Sequence, residues 1–295
     1  MPVWQAGKAD IMAASVNRYL EDLAQKEPEA RRQALIRILE ETGLSFCTQE
    51  EEPSFKNPAG TVNYLVTTGP EDTVSARPAL LFCAHYDAVP GSSGANDNAA
   101  AVCILLTLAC TLEKEGISAR FAFFDGEEQG NSGSKLYVSK MDRDSIAGVI
   151  NLDVCGYGDT LVICGKGHEK KPVFQPFCCR EILKKYNGML LKYLPKSDDA
   201  SFSGRKIPVL SMAMVPRWDV QYLKALATYG DGLLGRPPEY DMMFDQMEVT
   251  TTMHGGYRDS TEWIEPETME KMYTYLLEAV HTPAPDAKKR FRLFR

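Results

Sequence analysis

Uninterrupted apolar stretches are scarce in this 295-residue chain. None approaches the roughly 18 residues that would suggest a membrane-spanning helix, so no membrane partner is expected. The opening Met1-Pro2-Val3-Trp4-Gln5 lacks the basic flank and apolar run of a secretory signal. The expectation is a cytoplasmic protein whose eight cysteines stay reduced. There is no CxxC pair, and the adjacent Cys178 and Cys179 suit neither a zinc knuckle nor a thioredoxin-type site. Cys83, Cys103 and Cys110 sit in apolar runs and read as small core residues. GxGxxG, GKS/GKT and GxSxG are all missing, which excludes the usual dinucleotide, P-loop and nucleophile-elbow signatures. Basic residues do not dominate either. Lys+Arg 33 against Asp+Glu 40 gives a net charge of -7 with no basic stripe, a poor footprint for nucleic acid.

What is present is an ordinary globular composition, 44% hydrophobic and 25% charged, which rules out wholesale disorder, collagen and coiled coil. The length is enough to bury a core without disulfide staples. A single domain over 1–295 is expected, with N-terminal helices in 5–43. Leu20 and Leu23 close one amphipathic stretch. Leu35, Ile36, Ile38 and Leu39 mark a second, opened by Pro28 and ended near Gly43. Residues 48–60 read as an acidic loop. Strands are expected at 62–68, 79–84, 120–124, 147–153, 160–164 and 208–214. Helices are expected at 95–114, 134–141, 173–186 and 267–281. This alternation predicts an α/β three-layer sandwich: a mixed, mostly parallel central sheet with helices on both faces. Residues 215–253 show no clear period and read as an excursion from the sheet, serving as lid, rim or oligomer contact. The basic tail 288–295 reads as a solvated end.

In open α/β sheets ligands sit outside the carboxyl ends of the strands. The first buried strand ends Cys83-Ala84-His85-Tyr86-Asp87, placing His85 and Asp87 on one side of an extended chain. A Gly-rich turn follows, Pro90 to Asn98, running into a helix. Asn96, Asp97 or Asn98 caps that helix, or Asp97 is a carboxylate held at a helix start to bridge metals. The next strand ends in Asp125-Gly126-Glu127-Glu128. Like charges so crowded need a cation or a shared proton. Asn151-Leu152-Asp153 brings another carboxylate to the same edge, and His254 comes late in Thr252-Met253-His254-Gly255-Gly256. Imidazole with carboxylate suits zinc, and also cobalt or manganese. Two metals that share a carboxylate can activate one bridging water.

The order His-x-Asp, Gly-Ala-x-Asp-Asn, Glu-Glu-x-Gly-x-x-Gly-Ser, Asn-x-Asp and a late His resembles the co-catalytic di-zinc aminopeptidases, family twenty-eight of the metallopeptidases. The match covers roughly residues 60–281. The resemblance implies a zinc exopeptidase with two zinc ions per chain, acting on peptides or small amino-acid derivatives. By that resemblance His85 and Asp153 hold one zinc, Glu128 and His254 hold the other, and Asp97 bridges them. Glu127 is then the general base and Asp87 orients His85. Two departures stand out. Asp199 occupies the place of a usual His in Ser197-Asp198-Asp199-Ala200-Ser201-Phe202, and Asp259 lies five residues after His254 instead of four. The family also contains glutaminyl cyclases, which use one zinc for intramolecular transfer, so a cyclase is the alternative. A non-catalytic metal-binding protein on the same fold is the other. Arg258, Tyr257 and Trp218 could line a pocket or simply pack at the surface. His168 reads as solvated surface, and His281 as a cation at a helix C-terminus.

Overall fold

A computed structural model describes residues 16–55, 57–70, 78–229 and 237–283. The expectations for residues 5–15 and for the tail 288–295 lie outside these. The chain opens with α1 (Leu20–Leu23) and α2 (Pro28–Thr42), then β1 (Phe46–Glu51), β2 (Thr61–Thr68) and β3 (Ala79–His85). There follow α3 (Ala100–Glu115), β4 (Ala119–Phe124), α4 (Ser132–Lys140), β5 (Ile146–Leu152) and β6 (Thr160–Cys164). Next come α5 (Gln175–Cys178), α6 (Arg180–Lys185), β7 (Gly188–Leu190), α7 (Asp199–Ser203) and β8 (Val209–Val215). The last helices are α8 (Asp219–Tyr229), α9 (Pro238–Phe244) and α10 (Pro266–His281).

The eight strands form one sheet in the order β1-β2-β4-β3-β5-β8-β6-β7. The central pairs β4–β3, β3–β5 and β5–β8 are parallel, while β1–β2, β2–β4 and β8–β6 are antiparallel. From β3 the chain crosses to β4 on one side, then from β4 to β5 on the other. That reversal opens a crevice at the carboxyl ends of β3, β4 and β5, where a ligand site belongs.

The strands alternate their side chains between two cores. Phe82, Phe121, Phe123, Ile150 and Leu210 face α2, α3 and α10. Leu81, Cys83, Ala122, Phe124 and Val149 face Tyr137 and Val138 of α4 and Phe202 of α7. A third cluster joins Val162 and Val215 to Leu223, Leu226 and Tyr240 of α8 and α9. The segment Ala95–Glu115 is long and apolar enough by composition to cross a bilayer, but 83% of its most apolar window is buried inside the protein. Leu105 there is fully buried, and truncating such a leucine to alanine costs about 2–5 kcal/mol.

Several elements differ from the sequence reading. Residues 46–51 form an edge strand where 48–60 reads as a loop. Phe46-Cys47-Thr48-Gln49-Glu50-Glu51 has no apolar face, and the ladder with β2, from Phe46 opposite Val66 to Glu51 opposite Thr61, holds it. The helix expected at 173–186 breaks at Cys179, which is extended at φ -70° and ψ 151°. The helix expected from residue 95 becomes regular at Ala100. Before it, Asp97 (φ -119°, ψ 81°) and Asn98 (φ -141°, ψ 27°) leave helical geometry. Within 215–253 the described residues form α8, α9 and a short 3-10 turn at Val249–Thr252.

Candidate metal centre

The centre is assembled from four strand ends and loops. His85 ends β3, Glu127 and Glu128 follow β4, Asp153 follows β5, and Asp97 comes from the turn before α3. His254 arrives from the loop after the 3-10 turn. The turn after β4 needs Gly126 at φ +64°, where a Cβ would sit 2.1 Å from Ser132 Oγ. Asp125 is not part of the centre. Its Oδ2 accepts the Val62 N–H at 3.0 Å and ties the turn to β2. The acidic run therefore divides into one structural acid and two that reach the site.

The residues flanking Asp97 hold its irregular turn. Asn96 donates to Thr252 Oγ1 at 2.7 Å and accepts the Gly156 N–H at 2.7 Å. Asn98 donates to Leu152 O at 3.0 Å and accepts the Val154 N–H at 3.3 Å. The capping role allowed to them by the sequence does not occur, because neither side chain caps α3. They join the Asp97 turn to the end of β5 and to Thr252, two residues before His254.

Asp97 is buried and offers its two oxygens in two directions. Oδ1 lies 3.2 Å from His85 Nε2, and Oδ2 lies 3.0 Å from His254 Nε2. His85 Nε2 is also 3.6 Å from Asp153 Oδ1, and His254 Nε2 is 3.3 Å from Glu128 Oε1. Two sets result, His85–Asp97–Asp153 and Asp97–Glu128–His254, with ligand atoms within 4.8 Å of one another in each. The five residues expected from the sequence are thus brought together, in two groups that share Asp97.

Asp87 does more than face the other nitrogen of His85, at 3.4 Å from Nδ1. Its Oδ1 accepts the Glu127 N–H at 3.0 Å and its Oδ2 the Glu128 N–H at 3.2 Å. One carboxylate therefore fixes the ring of His85 and the backbone of the acidic pair. Glu127 belongs to neither set, and its Oε1 accepts from Asn131 Nδ2 at 3.2 Å.

The electrostatics follow from crowding acids in a buried place. Burial opposes a charge on His85, yet Asp153, Asp87 and Asp97 together push its pKa well above the ordinary value. Asp97 and Glu128 raise His254 to about 10, against partial burial. Burial alone would raise Asp97, but His254 and His85 hold it below the usual carboxylate range. Burial pushes Glu127 up to about 8, with His85 pulling down and Asp153, Asp198 and Asp97 adding to the rise. Glu128 Oε1 and Asp153 Oδ1 are buried without a hydrogen bond. Two imidazoles and three carboxylates, two of them with a buried oxygen that makes no hydrogen bond, fit divalent metal such as zinc, which displaces imidazole protons as it binds.

The sequence matches the Peptidase family M28 profile over residues 63–280. The chain belongs to peptidase family M28. This M28 chain is 35% identical over 88 residues to the probable lipoprotein aminopeptidase LpqL of Mycobacterium tuberculosis. That stretch is 28% of this chain and 18% of the relative, so the chain spans less than a fifth of that protein's length. A zinc aminopeptidase from Bacillus subtilis superposes with a TM-score of 0.55 at 22% identity, over 75% of this chain and 49% of the other. A glutaminyl cyclase from Porphyromonas gingivalis gives a TM-score of 0.62 at 16% identity, over 92% of this chain and 97% of the other. At these identities the likeness describes the fold, and it is the expected α/β sandwich.

Other residues resolve differently from their sequence reading. Asp199 is buried, accepts the Ser197 N–H at 3.0 Å and pairs with Lys166 at 3.3 Å, so it is a structural acid. Arg258 lies over Tyr157, Tyr257 and Trp263 and bonds Tyr157 and Glu248. Neither it nor the exposed Trp218 lines the cavity beside the centre. His168 is not simply solvated, since its Nδ1 accepts the Val209 N–H at 3.2 Å. His281 pairs with Glu115 at 2.8 Å. Three features escape the sequence reading: the cavity wall from Leu223 of α8 and Tyr240 and Phe244 of α9, the Asp259 Oδ2 that accepts the Gly255 N–H beside His254 at 2.8 Å, and the buried Arg31. Arg31 Nη2 donates from α2 to Ser92 O and Ser93 O at 3.4 Å each. The aromatic and methionine content of 215–253 was the available signal for the first.

Proposed function

We propose that this chain is a metal-dependent aminopeptidase that hydrolyses the first peptide bond of a peptide at a two-zinc centre. The observation that carries the reading is the split of Asp97, with Oδ1 toward His85 and Oδ2 toward His254. A carboxylate so placed suits two ions close together, with His85 and Asp153 on one and Glu128 and His254 on the other. Cobalt or manganese also suits this donor set. The aminopeptidase named among the relatives supports the reaction class.

When bound, the ions supply Lewis acidity, making water a stronger acid and polarising a carbonyl. The chain does the rest. Glu127 stands beside both sets, so it takes the proton from the attacking water and delivers it to the leaving amine nitrogen. Asn131 keeps that carboxylate in place, and Asp87 fixes the turn that carries it. Asp87 also holds the His85 ring so that Nε2 faces the centre.

A second reading is a glutaminyl cyclase. Asn151 Nδ2 and Ser197 Oγ are buried without a hydrogen bond and line the cavity beside the centre, where a carboxamide could meet them. One experiment separates the readings. Bound metal per chain is measured together with products from a peptide library, before and after chelation. Two equivalents with chelator-sensitive release of N-terminal amino acids support the aminopeptidase. One equivalent with pyroglutamate formed from glutaminyl peptides favours the cyclase. Metal without turnover points to a binding role.

A further inference from the structure

Arg31 of α2 is only 3% exposed, an unusual place for a side chain that always carries charge. Its Nη2 donates to the carbonyls of Gln25, Ser92 and Ser93, the last two at 3.4 Å. Its Nε is buried without a hydrogen bond. Carbonyls alone leave a buried guanidinium poorly compensated, so an anion is needed within reach of its field. The hydrolytic steps above give Arg31 no task. We propose that Arg31 and Asp259 form an ion pair relayed through the turn between them, and that this pair is a positioning device that clasps Asp97 and His254 together. This rests on the two-zinc reading above and names residues that keep its second position assembled.

The relay runs bond by bond. Arg31 Nη2 donates to the Ser93 carbonyl. The N–H of that same peptide unit belongs to Gly94 and donates to Ser92 Oγ at 2.9 Å. Ser92 Oγ donates to Asp259 Oδ2, which also accepts the Gly255 N–H at 2.8 Å. From Arg31 to Asp259 every donor points from the cation toward the carboxylate. Hydrogen bonds aligned in one sense polarise one another, and a charge at each end strengthens the links between. A branch reaches the other ligand. Ser93 Oγ accepts the Ala95 N–H at 3.3 Å and donates to Asp259 Oδ1 at 3.0 Å. Ala95 lies two residues before Asp97, and Gly255 follows His254 directly. The clasp therefore joins the carboxylate shared by both sets to the imidazole of the second. The turn leaves no slack, since a Cβ on Gly94 would stand 2.9 Å from Asp97 O and 3.5 Å from Arg31 Nη2. The charges agree with the bonds. Burial lowers the pKa of Arg31, and Asp87, Asp259 and Glu128 oppose the fall.

The test is a double-mutant cycle on the full chain, Arg31→Met, Asp259→Asn and the two combined, with two readouts. The first is a zinc titration. Each single variant should weaken one class of site by about tenfold or more and leave the other near the wild type. The combined variant should be little weaker than the worse single one, whereas two independent residues would multiply their losses. The second readout is amide hydrogen exchange of the metal-free chain. Arg31→Met should speed exchange at Gly94 and Gly255 by about tenfold. Leu35→Ala, which opens a cavity at a buried position of the same helix, should leave both amides and both zinc affinities near the wild type. Should Arg31→Met fail to fold, Arg31→Lys takes its place, with one terminal nitrogen on a shorter stem. Two zinc sites in the wild type with multiplied losses in the cycle overturn the clasp and leave the two-zinc reading standing. Equal weakening by Leu35→Ala also overturns it, since Arg31 then serves only the helix. A single zinc site in the wild type overturns the two-zinc reading, and the exchange at Gly94 and Gly255 then decides the clasp by itself.

Discussion

Asp259 Oδ2 accepts the Gly255 N–H at 2.8 Å, and through this bond a part-buried network grips the exposed loop of His254. The same carboxylate accepts from Ser92 and from Ser93 Oγ, the latter at 3.0 Å. Those serines sit in the turn that leads to Asp97, with Arg31 holding their carbonyls from below. Gly94 closes that turn at φ +62°, where a Cβ would lie 2.7 Å from Ala88 Cβ. His254 itself has φ +54°, a left-handed conformation that a non-glycine residue adopts only when its surroundings enforce it. The extra residue between His254 and Asp259 does not remove the acid from this duty. It still closes the loop back on itself.

The Asp259→Ala variant should therefore bind metal less well on the His254 side. Loss of groups that orient metal ligands typically costs about 10–100-fold in affinity. A metal titration should show one class of site weakened and the His85 side nearly unchanged. Equal binding at both sides would separate Asp259 from the centre.

Glu127→Gln keeps the shape of the side chain and removes its proton chemistry. Turnover should fall by about 10²–10⁴-fold, with bound metal equal to that of the wild type. A parallel loss of metal would instead place Glu127 among the ligands.

Asn98→Ala removes both bonds between the Asp97 turn and the end of β5 at a buried position. The Val154 N–H and the Leu152 carbonyl lose these partners, so unfolding free energy should drop by about 1–3 kcal/mol. Denaturant titration gives the stability, and metal content measured alongside should drop too. If stability falls while metal content is untouched, the turn is held by other contacts.

Asp198 gives a pH dependence with a definite sign. It is fully buried, and burial raises its pKa from 3.8 to about 7, with His85 and a bond to Ser134 pulling down. The folded chain thus holds a proton that the unfolded chain releases earlier. That preference favours folding below pH 3.8 and is lost as pH rises through about 7. Asp198→Asn stays neutral, so its stability should rise relative to wild type across this window. Denaturation midpoints from pH 4 to 8 measure the difference, and parallel curves would contradict the shift.

The sequence by itself determined the layered α/β architecture and which acids and imidazoles stand at the ends of its strands. Buried strands such as 79–85 and 119–124 are short apolar runs that water excludes, and their ends are punctuated by polar residues. His85, Glu127, Glu128 and Asp153 stand at those ends, so their convergence follows from a parallel sheet with a crossover on each side. Other elements lie beyond local pattern. β1 is held by pairing with β2, because its own residues have no apolar face to declare it. α8 and α9 are shaped by packing against β8, which a sequence without period does not reveal. The direction of the two oxygens of Asp97, the duty of Asn96 and Asn98, and the reach of Asp259 to two serines more than 160 residues earlier all depend on contacts remote in the chain. Hydrophobic patterning encodes which face is buried, and only the folded chain decides which distant polar groups meet there.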